Sequence, residues 1–417
     1  MKTRFWIVFG TFLLAMLLYV DRILISVAKT DVATALSLSD KQMGWVLSIF
    51  SLGYALFQMP SGWAADKFGA RKILTFIVTI WSFLTALTGF AWNFVSLLVI
   101  RFAFGAGEAG AYPSINRVVF SWIPMQERGT VNGINFSAGR LGAAFALPTV
   151  AWMIQSFGWR ESFTLLGVVG IVWAAAWWLW FRNEPTGKKG IPQEELDYIL
   201  KNRQQTTSEA YEKLPLSILL RSSNMLLLMG QYFASNFTFF FCLTWLFPHL
   251  KTRFNLDTVE AGFYASIPLV FGALGNIIAG RMVDYLYKQN RFSASRRYTA
   301  IVGFSIAAVG LLMSAYAHSV VEATVFLSMA VLGADMTLSP SWATCSDIGG
   351  KNSGMVSGAM NMVGNLGAFL TALAFPYLKE WTGSDEPFFF LGTFLNIFAV
   401  LLWLRIEPTK VLERETR

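Results

Sequence analysis

Long apolar runs, each closed by a short polar or glycine-rich break, follow one another along almost the whole chain. They fall at approximately 5–28, 42–64, 73–91, 94–122, 130–155, 163–181, 224–248, 259–281, 298–317, 321–346, 354–378 and 386–405. A hydrocarbon core about 30 Å thick takes roughly 20 apolar residues of helix, and backbone in lipid must bond to itself. Each run therefore predicts one spanning helix, twelve in all, and an all-α membrane protein. Lys2 and Arg4 precede the first run as in a signal peptide. That run is long, carries Asp21 and Arg22 near its end and lacks a small-residue cleavage site, so it is read as a retained helix.

The stretch 182–223 is the one long polar segment and separates six runs from six, giving bundles at 1–181 and 224–417 joined by a connector. The helical pattern from Glu194 to Arg203 suits a charged helix lying along the membrane face, and Glu194 to Tyr211 is weighed as a receptor-docking element. The halves repeat each other. Val131, Gly133, Gly139, Arg140, Leu141 and Gly142 recur with the same spacing as Val356, Gly358, Gly364, Asn365, Leu366 and Gly367, while Gly62 and Asp66 recur as Gly280 and Asp284, each followed by basic residues. Parallel six-helix repeats imply two pseudo-symmetric bundles about an axis along the membrane normal.

Composition agrees with the pattern: the 417 residues are 55% hydrophobic and 14% charged, with a mean hydropathy of +0.50. This excludes a soluble globular protein. The net charge of +8 invites a nucleic-acid partner, but the placement of the basic residues refutes one. Lys29, Lys41, Arg160, Lys251, Arg253 and Lys379 fall on one side, Arg22, Arg101 and Arg140 lie within runs, and the rest of the 33 fall on the other side. That asymmetry places both termini in the cytoplasm, as expected for an inner (plasma) membrane protein. Cys242 and Cys345 both lie within runs, so neither a disulfide framework nor a metal site is expected, and no Gly-rich Lys loop points to a nucleotide cofactor.

Charge inside the runs is the chemical signal. Asp21 and Arg22 in the first run and Arg101 and Glu108 in the fourth are costly in a bilayer unless paired or facing a watery site. Arg101 and Glu108 are seven residues apart, hence on one helix face, with Gly105 and Gly107 admitting a neighbour. A static ion-pair network tying the two spans together is the alternative to a site for a charged solute. The only histidines, His249 and His318, lie near outer helix ends, so proton traffic in the core would fall to carboxylates, whose proton affinity grows with desolvation and drops beside an arginine.

The loop Gly62-Trp63-Ala64-Ala65-Asp66-Lys67-Phe68-Gly69-Ala70-Arg71-Lys72 resembles the signature loop of the major facilitator superfamily. Its glycines suit a tight turn and close helix approach, and Asp66 suits a helix end or an arginine. Gly62, Asp66, Lys67, Gly69 and Arg71 are therefore expected to gate, not to touch substrate. Tyr19-Val20-Asp21-Arg22, the Arg101 to Pro113 stretch, Ser339-Pro340-Ser341-Trp342 and Gly364-Asn365-Leu366-Gly367 narrow the resemblance to the anion:cation symporter family, which includes hexuronate, galactonate and glucarate carriers. By that resemblance Asp21 and Glu108 carry protons and Arg22 binds substrate carboxylate. Arg101 is a substrate-binding candidate that is also expected to support Asp21. Arg140 is either a second carboxylate clamp or a gate residue, and Asp335 a polar contact or an auxiliary proton site. Tyr19, Tyr54, Gln58, Asn236, Ser339, Ser341, Trp342, Asn361 and Asn365 are candidates for polyol recognition, each weighed against a helix-packing bond. The aromatics of the seventh run, Phe237 to Phe247, are read as lipid-facing and packing surface.

The resulting expectation is a monomeric proton symporter that imports a small organic anion, most simply a sugar acid such as a hexuronate or aldonate, with no metal or cofactor. Another organic anion, or a transport-dead nutrient sensor on the same scaffold, is the alternative.

Overall fold

The computed structural model of the protein describes residues 2–204, 214–256 and 258–412, and every regular element among them is helical. The principal helices are α1 (Thr3–Val27), α2 (Asp40–Phe68), α3 (Ala70–Thr88), α4 (Phe94–Glu108), α5 (Ala111–Trp122), α6 (Arg128–Phe157), α7 (Trp159–Trp180), α8 (Gln193–Asn202), α9 (Ser223–Thr244), α10 (Leu246–Arg253), α11 (Thr258–Lys288), α12 (Phe292–Ala315), α13 (Val320–Met336), α14 (Leu338–Gly349), α15 (Ser353–Thr382) and α16 (Glu386–Arg405). Among the described residues ten helical segments are long and apolar enough to cross a membrane. One of them, Val320–Thr382, has 63 residues, enough for two crossings, and the 30-residue α6 occupies the fifth apolar run.

Local chemistry sets the helix ends. Ser39 and Gln42 form a reciprocal capping box at the start of α2, and Asn93 and Ser96 do the same for α4. Gly69 turns the chain from α2 into α3 at φ 86°, where a side chain would collide with Asn183. The apolar runs 94–122 and 321–346, expected to be single helices, are each divided, at Ala109–Gly110 and at Thr337. In both the next helix carries a proline in its first turn, Pro113 in α5 and Pro340 in α14, where a missing N–H costs no helical bond.

The chain forms two compact units whose membership departs from sequence order. The first holds Met1–Pro124, Leu141–Lys213 and Lys351–Gly358; the second holds Met125–Arg140, Leu214–Gly350 and Ala359–Arg417. The connector 182–223 is accordingly divided, its first part counted with the first unit.

In the first unit α2 crosses α4 at Gly53 and Gly105, where an added Cβ would run into the backbone oxygens of Phe102 and Phe50. Close approach of backbones through small residues is how apolar helices gain dispersion contacts in lipid. A core of Leu24, Ile25, Met43, Val46, Leu97, Ile100 and Phe163 fills one end of this unit. The connector helix α8 lies where the sequence pattern put it, and its Glu195 accepts from the backbone N–H of Thr3 (2.8 Å) and Arg4 (3.0 Å), capping α1. The remainder of the receptor-docking stretch, 205–211, lies outside the described residues.

Asp66, at the end of α2, accepts from the N–H of Gly354 (3.0 Å) and Met355 (2.7 Å) in the first turn of α15, with Arg117 3.9 Å away. The second unit repeats the device with the repeat counterpart. Asp284 of α11 accepts from the N–H of Gly129 (2.9 Å) and Thr130 (2.8 Å) at the start of α6. Each carboxylate thus satisfies orphan donors at the positive end of a helix dipole. Elsewhere in the second unit, Asp347 bridges Arg128 (2.9 Å) and Arg296 (3.0 Å). Of the aromatics expected to serve as lipid-facing and packing surface, part of the α9 set packs inward. Phe237 and Phe241 are core, packed on Phe375, Phe388 and Phe389, because the stripe at positions three to four apart faces α16 and α15. His249 also lies in this aromatic cluster, 3.1 Å from Asp385, which Lys379 approaches at 2.9 Å; against the cost of burial these two donors hold the Asp385 carboxyl at about 2.

The α2–α4 crossing generates a stability prediction. Gly105→Ala places a methyl group on a backbone oxygen that cannot move aside, and overpacking of this kind costs about 1–3 kcal/mol. Its melting temperature in detergent should fall, whereas Gly44→Ala, whose Cβ meets nothing within 4 Å, should leave it unchanged or raise it. Equal melting of the two variants would refute the tight crossing.

Candidate functional site

The four ionisable residues of the first and fourth apolar runs converge inside the first unit. Asp21 and Arg22 lie on α1 and Arg101 and Glu108 on α4, with Asp21, Arg101 and Glu108 all buried and the Arg22 side chain 18% exposed. Arg22 Nε donates to Glu108 Oε1 at 2.6 Å. The contact has a single prong: Arg22 Nη2 and Glu108 Oε2 are both buried without a hydrogen-bond partner. Buried polar atoms are normally satisfied, and leaving one unsatisfied costs about 1–3 kcal/mol. The pair thus leaves one donor and one acceptor available for further hydrogen bonding.

Aromatic rings hold the arginines in position. The Arg22 guanidinium lies 4.5 Å from the Tyr54 ring centroid, 5.2 Å from Tyr19 and 5.3 Å from Phe50. Arg101 lies 4.8 Å from Phe104 and shares the Phe50 face at 5.3 Å. Such contacts help keep a cation in place. Arg101 is also within electrostatic reach of Glu108, Asp21 and Arg22.

Asp21 is not paired with its sequence neighbour. Its Oδ2 accepts from Trp81 Nε1 of α3 at 3.1 Å, and its Oδ1 has no partner. Sequence reasoning missed Trp81. The signal was present: a lone indole in the third apolar run must find an acceptor once buried. Phe50, which backs both arginines, was missed too, because one phenylalanine among many carries no such mark.

The residues expected to gate also fall in the first unit. Gly62 meets Gly354, Asp66 caps α15, and Lys67 lies over Trp63 (5.0 Å) and Phe68 (5.1 Å). The Arg71 side chain bonds to Trp178 O and its N–H to Asn183.

Arg140 belongs to the second unit and is closed off. Nε and Nη2 grip Asp335 at 2.8 and 2.7 Å, and the guanidinium lies 3.4 Å from the Phe239 centroid. Asp335 is thus a polar contact of Arg140, and the clamp assignment requires Asp335 to let go. The polyol candidates of the second unit are engaged likewise. Ser339 donates to Gly129 O, Ser341 to Thr337 O and Gln231, Trp342 to Tyr232 Oη at 2.8 Å, and Asn365 to Asn361 O.

A family model described as Major Facilitator Superfamily matches residues 11–372. The chain is 32% identical to the "Probable sulfoacetate transporter SauU" of Cupriavidus necator, over 98% of this chain and 94% of that protein. It is 32% identical to the "Probable galactarate/D-glucarate transporter GarP" of Escherichia coli (94% and 91% covered) and 29% identical to the "Hexuronate transporter" of Bacillus subtilis (97% and 94% covered). A crystal structure of a double-Trp mutant of XylE superposes with a TM-score of 0.78 at 16% identity, covering 97% of this chain and 96% of that one. The human organic anion transporter MFSD10 gives 0.74 at 14% identity, with 97% and 100% covered. At those identities the structures speak to fold alone.

The bidentate pair generates a second prediction. Arg140→Met should destabilise the protein by about 3–5 kcal/mol, since it strands Asp335 in the interior, while Arg140→Met/Asp335→Leu should recover most of that loss. Denaturant titration in detergent reads the difference. Full transport in the double variant would mark the pair as purely structural; lost transport in a stable double variant would return Arg140 to the substrate path.

Proposed function

The chain belongs to the major facilitator superfamily, is an integral membrane transporter and not an enzyme, and we propose on that footing that it imports a sugar acid by proton symport with alternating access, both termini in the cytoplasm. The observation that carries the reading is the single-pronged Arg22–Glu108 contact in the first unit, with one donor and one acceptor left buried and unpartnered beside it. A substrate carboxylate takes up the free edge of Arg22, for which a guanidinium fork is suited. A proton on Glu108 neutralises the competing anion, so proton and substrate bind together. Asp21, anchored by Trp81 and coupled to Arg101, is the second proton carrier. Tyr19 and Tyr54, stacked against Arg22, present hydroxyl-bearing rings to a polyol. The curated relatives support the substrate class, since their names place galactarate, glucarate, hexuronate and sulfoacetate among what they carry. Asp66, Gly62 and the basic residues after them act on the exchange between inward-open and outward-open states and not on affinity.

Three outcomes test the proposal in proteoliposomes. An inward proton gradient should drive accumulation of a hexuronate or aldarate, and Glu108→Gln, which cannot release a proton, should abolish accumulation while preserving counterflow exchange. A Gln variant that still concentrates substrate removes Glu108 from coupling. Arg22→Lys should weaken substrate binding by about 1.5–3 kcal/mol, the worth of a charged hydrogen bond, because a point charge does not reproduce the fork. Unchanged affinity in folded protein would take Arg22 out of the site. Asp66→Asn should lower the rate with affinity nearly intact, and the reverse pattern would sink the gate assignment.

A further inference from the structure

Three cations gather where α7 ends. Lys188 Nζ donates to Trp180 O at 2.6 Å and lies 4.0 Å from the Trp180 ring centroid. Arg182 Nη1 donates to Leu179 O (3.1 Å) and Phe181 O (2.8 Å), and Arg71 donates twice to Trp178 O (2.9 and 2.6 Å). A helix C-terminus carries only about half a negative charge. Among the described residues no carboxylate pairs with any of the three. Burial, and after it the neighbouring Arg182 charge, pushes the Lys188 ammonium below its ordinary range. The cluster therefore holds more positive charge than its surroundings balance.

Beside it runs a groove of about 310 Å³ between α1 and α7, walled by Trp6, Phe9, Leu13, Trp173, Trp177 and Trp180. Trp6 is 49% and Phe9 46% exposed, and the Trp173 indole N–H is spent on Gly10 O at 3.1 Å, so the walls offer apolar and aromatic surface. Trp180 belongs to both features: it closes the groove and carries Lys188 on its ring. An apolar channel that ends in unbalanced cations at a membrane–water boundary is complementary to a chain with an anionic head. Basic pockets next to spanning helices on the cytoplasmic side receive such headgroups.

We propose that the α1–α7 groove is a specific site for an anionic phospholipid, its acyl chain against Trp6, Phe9, Leu13 and Trp177 and its phosphate received by Arg182 and Lys188. The site is independent of the transported substrate. The lipid fixes the amino-terminal half of α1, the helix that carries Asp21 and Arg22.

The test is native mass spectrometry of protein released from nanodiscs holding equal phosphatidylglycerol and phosphatidylcholine with the same acyl chains. Wild type should retain phosphatidylglycerol in preference. Arg182→Gln/Lys188→Gln should lose that preference, by about fivefold for each charge removed. Ala176→Trp, which fills the groove, should lose adducts of both lipids, and Phe9→Ala/Leu13→Ala should do the same should the larger residue prevent folding. Millimolar inorganic phosphate should leave the adducts in place. Equal retention of the two lipids by wild type, an undiminished preference in the Arg182/Lys188 variant, or displacement by inorganic phosphate would overturn the proposal.

Discussion

A charge buried in an apolar helix bundle has to find its opposite, and in the first unit it does so by one short bond from Arg22 to Glu108. The remaining features of that region follow from it. The bond joins α1 to the last residue of α4, while the close approach at Gly105 sets α4 against α2, the helix that carries Phe50 and Tyr54. The guanidinium is also held against the rings of Tyr54, Tyr19 and Phe50, with Nη2 left without a hydrogen-bond partner. The Arg22 fork is gripped by one prong, and its Nη2 is left without a hydrogen-bond partner.

Arg140 and Asp335 supply the contrast within the same chain. There both prongs are engaged and the guanidinium face is covered by Phe239. Opening that pair would expose two charges in a low-dielectric interior, whereas the Arg22–Glu108 contact is held by one bond. The two arginines thus differ in how many of their donors are already taken.

A second theme is the carboxylate placed on a helix start. Asp66 and Asp284 each take two backbone N–H groups that no intrahelical carbonyl reaches, and Glu195 does the same for α1. These bonds are made to main chain and need no particular side chain on the partner. That is why a short motif, glycine then aspartate four residues on, suffices to specify them in both repeats.

The spans, the repeat, the connector helix and the concentration of charge on α1 and α4 were all legible in the chain, because hydropathy and helical spacing are local properties and lipid leaves the backbone little choice but helix. The family resemblance named the acids and Arg22, and the structure brings those residues together. Only the tertiary structure decided the pairings: Trp81 for Asp21, one prong of Arg22 on Glu108, both prongs of Arg140 on Asp335, and the inward turn of Phe237 and Phe241. It also divided the fourth and tenth runs and assigned the start of α6 and the first turn of α15 to units remote in sequence. The physical reason is common to all of these. Burial of a charge or a ring is fixed by position along one helix, but the partner that satisfies it comes from another helix and depends on the angle and depth at which the two cross.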